Sequence, residues 1–156
     1  MRDIDTLVPG FAAALEKLPG SAEAYGKLSS SLEKGSLSMR NKAEIGLVVA
    51  HRIRCDYSTW VMSRLAERRG LSGEDIFFAG MGIARGRRSA ALLRLARKMI
   101  EGPKMATTIE CDPADSRMFS DGELAEIVAE VALAVLTCSV LQAVAPRMPA
   151  TQRREA

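Results

Sequence analysis

One long apolar run, "IVAEVALAVLTCSVLQAVA" from Ile127 to Ala145, limits most strongly how this chain can fold. A helix drawn through it has apolar residues on nearly every face, so it has to be covered all round. It is about as long as a membrane span. However, Glu130 interrupts it, and Thr137, Ser139 and Gln142 dilute it. We read it as a buried core or interface helix and expect no membrane span. In a chain of 156 residues, one domain must do most of the wrapping, and a partner subunit is expected to complete it.

The rest of the chain supplies helices to do this. No stretch alternates β-branched and polar residues, and no Asn-Gly pair marks a hairpin. A short helix is expected over Gly10–Leu18, stopped by Pro19-Gly20. Ser21 is expected to cap a helix over Ala22–Lys34, ended by Gly35. Ser38 opens a longer one, in which Leu47, Ala50 and Ile53 recur at helical spacing. The stretch from Asp56 to Arg69 follows, with Trp60, Leu65 and Ala66 inward and Gly70 as its end. Ser72 with Asp75 resembles a capping box before an apolar face of Ile76, Phe77 and Met81. "SAALLRLARKMI" is amphipathic with Arg94, Arg97 and Lys98 outward, and "CDPAD" suggests a turn and a short helix. Ser120 and Glu123 box the start of the last helix, Asp121 to Ala145. The expected architecture is all-α: a single-domain bundle of roughly seven helices over residues 1–146, with a flexible tail over 147–156.

Charge and cysteine usage narrow the function. The net charge is only +3, and "RGRRS" followed by "RLARK" is a modest basic cluster. Nucleic-acid binding through Arg85, Arg87 and Arg88 is therefore the last-ranked alternative, and no nucleic-acid partner is expected. "MRDIDTLVPG" has no apolar run after Arg2, so no secretory signal is expected. Cys55, Cys111 and Cys138 are unevenly spaced, which suits free thiols in a reducing, cytoplasmic compartment. No pair at zinc spacing and no H-x-x-x-H occurs, so no metal is expected. Gly80, Gly82 and Gly86 in "GMGIARGRR" follow no strand and lack the G-x-G-x-x-G spacing, so no nucleotide cofactor is expected either.

"LSMRNKAEIGLVVAHRIRCDYSTWVMSRLAERRGLSGEDI" resembles the core motif of the AhpD-like alkylhydroperoxidase and carboxymuconolactone decarboxylase superfamily. The resemblance rests on Leu37, Arg40, Lys42, Val49-Ala50-His51, Cys55, Tyr57, Gly70-Leu71-Ser72, Glu74 and Ile76. The flanking helices also fit, so it spans nearly the whole chain. It implies an all-helical fold assembled as a homo-oligomer: a dimer, trimer or hexamer. It also implies peroxide reduction by a Cys-x-x-Cys pair, in which the second cysteine attacks, aided by an upstream Glu and a downstream His. The decarboxylase branch works with acid–base residues instead.

This chain departs from that pattern at the attacking groups. The second cysteine falls on Ser58, the His on Met62 and the Glu on Ala43. Glu44 is adjacent, but one residue is about 100° around a helix. A lone thiol can be oxidised to a sulfenic acid but needs an outside thiol to restore it. The candidate catalytic residues are Cys55, His51 and Ser58; the candidate binding residues are Glu44, Tyr57, Trp60 and Met62. On an unbroken helix His51 and Cys55, four apart, would share a face, where an imidazolium beside a thiol favours the thiolate. If the helix restarts at Asp56, Cys55 instead meets a positive helix end. The resulting expectation is a divergent one-cysteine peroxide-reducing enzyme that uses an external thiol reductant. The alternative is a non-catalytic binding module whose pocket, lined by Ala43, Ser58, Trp60 and Met62, is more apolar than in active relatives.

Overall fold

The computed structural model describes residues 2–17, 19–101 and 113–144. Cys111 and the expected tail at 147–156 lie outside these residues. Among the described residues the chain forms nine helices and no strand. They are α1 (Arg2–Leu7), α2 (Phe11–Leu15), α3 (Ser21–Glu33), α4 (Met39–Ile53), α5 (Asp56–Arg68), α6 (Gly73–Gly80), α7 (Arg87–Glu101), α8 (Pro113–Ser116) and α9 (Asp121–Val144). Short helix α8 lies where "CDPAD" suggested one, whereas α1 was not expected.

Local chemistry sets most of the ends. The Ser38 and Ser72 hydroxyls accept from the backbone N–H of Asn41 and Asp75 at the starts of α4 and α6. At α9 the box is reciprocal: Glu123 N–H donates to Ser120 Oγ, and Ser120 N–H donates to the Glu123 carboxylate at 2.9 Å. Helices α5 and α6 end alike. Gly70 and Gly82 take left-handed angles, which lets Leu71 donate to Ala66 and Ile83 donate to Phe78. One expected cap differs. Gly20, left-handed at φ 80°, holds the cap position of α3, while Ser21 is the first helical residue and its hydroxyl donates to the Leu15 carbonyl.

The centre of the bundle is α4, which packs against α5, α6, α7 and α9. All residues from Lys42 to Ala50 are buried, and Ile45, Val48, Val49 and Ala50 are fully enclosed. Around it lie Phe11, Val61, Leu92, Leu93, Ile127 and Leu141, also fully buried. The helix covered on every side is therefore α4 rather than α9. On α9, Val128 and Leu136 are 53% and 43% exposed. By length and composition alone α9 could cross a membrane, while in the bundle it packs on α2, α3, α4, α5 and α7. The face expected on α6 also divides. Ile76 packs on the core, but Phe77 is 64% exposed and Met81 lies open beside it.

Candidate functional site

The joint between α4 and α5 decides the geometry around Cys55. Helix α4 stops at Ile53, and Arg54 takes a left-handed conformation (φ 56°, ψ 43°). That is uncommon for a residue with a Cβ and costs about 1 kcal/mol. Extended Cys55 is then the cap residue of α5, and its carbonyl accepts from Thr59 N–H at 2.9 Å. Cys55 is half-buried against the core. Cys55 thus holds the cap position of α5, the helix end where partial positive charge gathers, and its side chain makes no capping hydrogen bond.

His51 does not share a continuous helix with Cys55. It lies in the last turn of α4, exposed, with its ring 3.7 Å from where a Cβ on Gly80 would be. With Arg52, Arg54, Asp56 and Thr59 it lines a surface depression reaching Glu101 on α7. Within it Arg52 pairs with Glu101 at 2.9 Å. Cys55 does not line this depression.

Ser58 faces inward. It is fully buried, and its hydroxyl donates to the backbone carbonyl of Cys138 at 3.2 Å. Cys138 is fully buried as well. Burial pushes its thiol up to about 12, and the nearby Cys55 adds to the effect. Tyr57 is buried at the start of α5, and its ring stacks on Trp60 at 6.0 Å. Burial, reinforced by Cys55, raises its phenol to about 12. The Tyr57 hydroxyl and the Trp60 indole N–H are buried with no hydrogen-bond partner among the described residues. An unmet buried polar atom of this kind costs about 1–3 kcal/mol.

Met62 and Ala43 line a different space, a cavity of about 80 Å³ under α3, α4, α5 and α9. Ser58 and Trp60 are not part of its lining, and its walls are more polar than expected. Lys42, Glu130, Arg69, Tyr25 and Thr137 contribute. Tyr25 and Thr137 hydroxyls meet at 2.7 Å. Lys42 donates to the Leu32 carbonyl and pairs with Glu126 at 3.1 Å and Glu130 at 3.9 Å. Burial raises the pKa of Glu130 despite Lys42 beside it. The sequence signals for this cluster were Glu130, set inside an apolar run, and Lys42, set beside an apolar stripe. Glu44 turns to the other side of α4, where Arg40 meets it at 3.0 Å.

Two of the three arginines of the "RGRR" stretch, Arg85 and Arg88, are partnered. Arg85 bridges Glu74 and Asp75. Arg88 pairs with Glu123 and lies over the Phe119 ring. Among the described residues no group of three or more His, Cys, Asp or Glu side chains could hold a metal ion. In comparisons with known proteins, no family model, no curated protein and no solved structure matches this chain.

Proposed function

We propose that the chain is a divergent AhpD-like protein that reduces hydroperoxides through one cysteine. The observation that carries this is Cys55, half-open at the start of α5, with Tyr57 two residues on, whose buried hydroxyl has no partner among the described residues and is held protonated by burial. The Cys55 sulfur attacks the outer oxygen of ROOH. The O–O bond breaks, the thiol proton goes to the departing oxygen, and ROH leaves a sulfenic acid on Cys55. Tyr57 offers a hydrogen bond to the departing oxygen. An external thiol then displaces water from the sulfenic acid to form a mixed disulfide, and a second thiol frees Cys55. Cys138 is a poor internal resolving group, because its burial disfavours the thiolate that would have to attack. A reducing, cytoplasmic setting suits this cycle, and a homo-oligomer would cover Val128 and Leu136 on α9.

The test is trapping by a sulfenic-acid-specific dione in a Cys111→Ser background. Hydroperoxide should make Cys55 label, Cys55→Ser should abolish labelling, and Tyr57→Phe should slow it. No label on Cys55 at any peroxide concentration sinks the proposal. The second reading, a non-catalytic small-molecule binding module, is favoured by the polar-walled cavity between Tyr25, Lys42, Glu130 and Thr137. It requires ligand-dependent melting shifts that survive Cys55→Ser and disappear when Ala43→Leu fills the cavity.

A further inference from the structure

On the opposite side of α4 a pocket of about 160 Å³ opens toward α6 and the turn that follows it. Phe78, Ile83 and Ala84 form its apolar wall. Glu44 lines the other side with its side chain only 2% exposed. One Glu44 oxygen accepts from Arg40 Nε at 3.0 Å. The other, Oε2, is buried and has no hydrogen-bond partner among the described residues. Burial raises the carboxyl's pKa, although Arg40 pulls it the other way. This is an acceptor shut away from water without a donor, and a ligand that brought one would remove the penalty.

The groups around the pocket say which donor fits. Arg40 also reaches Asp75 at 3.0 Å, and Arg85 links Asp75 to Glu74. Within the lining two guanidinium groups, Arg40 and Arg85, face two carboxylates, Glu44 and Asp75, and Arg85 is shared with the exposed Glu74 outside it. Glu44 Oε2 needs a donor, which an ammonium group brings and an anion does not. A metal ion is not indicated, since the described residues provide no cluster of three potential ligands. The apolar wall calls for a hydrocarbon body on the cation. A cavity of about 150 Å³ accepts a benzene-sized molecule.

We propose that this pocket binds a small primary amine, with its ammonium group on Glu44 Oε2 and its hydrocarbon body against Phe78, Ile83 and Ala84. The proposal is independent of the chemistry at Cys55. Benzylamine is the probe, titrated at neutral pH while the amide signals of α4 and α6 are followed by NMR. Benzyl alcohol serves as the uncharged analogue of the same shape. Benzylamine should bind about tenfold more tightly than the alcohol or better, and Glu44→Gln should remove that preference. Equal binding of the two by the unaltered protein, or a preference that persists in Glu44→Gln, overturns the proposal. Should Glu44→Gln fail to fold, Ala84→Leu narrows the pocket without touching the carboxyl. Loss of benzylamine binding in that variant supports the proposal, and full retention overturns it.

Discussion

The Ser58 hydroxyl donates to the backbone carbonyl of Cys138 at 3.2 Å, joining the first turn of α5 to the C-terminal half of α9. Ser58, which falls where the resemblance would put a second cysteine, is thus a structural link. Ser58→Ala should destabilise the protein by about 1 kcal/mol and leave the rate of Cys55 oxidation unchanged. Urea denaturation and dione trapping on the same variant would check both.

Ser58→Cys should change the outcome of oxidation. Positions 55 and 58 lie three apart at the start of α5, so the side chains are neighbours. The new sulfur should capture the Cys55 sulfenic acid as an internal disulfide. Mass spectrometry after one equivalent of peroxide would then find a loss of two hydrogens and no dione adduct.

Cys138 should resist alkylation in the native protein. It is fully buried and its thiol is raised to about 12, chiefly by desolvation. In a Cys111→Ser background, iodoacetamide should add one label before denaturation and a second only after it. Two labels on the native protein would contradict the packing of α9 described above.

Lys42→Met should be among the costliest single changes. Its ammonium is buried between Glu126 and Glu130, and removing one member of a buried ion pair costs about 3–5 kcal/mol. Much of this loss is the uncompensated charge left behind. Lys42→Met combined with Glu130→Leu should therefore be more stable than Lys42→Met alone, as a double-mutant denaturation cycle would show.

Acid should weaken the contact between α7 and α8. The Arg94 guanidinium holds the Asp115 carboxyl below the usual aspartate range, with two contacts at 2.6 and 2.7 Å. A depressed native pKa contributes stability that is complete above the unfolded value of about 3.9 and is lost as pH falls through the native value. Asp115→Asn should be less stable than the unaltered protein at neutral pH. The difference should shrink toward about pH 3, measured by urea midpoints at both pH values.

Helix ends were legible at most local signals, Ser21 excepted. Ser38, Ser72 and Ser120 cap where their spacing says, because each bond reaches only three residues along the chain. The α4–α5 break was not legible, since Arg54 is not a glycine and only the surrounding packing holds it left-handed. The direction of His51 follows from that break, so it was hidden too. The burial of Lys42 was equally obscure, because its carboxylates come from α9, far along the chain. Cys55 and Tyr57 stood out as a pattern, but Tyr57's missing partner is a property of its neighbours. The pattern on α6 misled for the same reason. Phe77 has helical spacing to the core but is left 64% exposed among the described residues.

Helix α4 touches α5, α6, α7 and α9 and has nine consecutive buried residues. No single neighbour can swing away and expose it, so wetting its backbone requires the whole assembly to come apart. In deuterated water the amides from Ile45 to Ala50 should be the last to exchange. Their rates would report the global unfolding equilibrium directly, while those of the small helices α1 and α8 would follow local fraying.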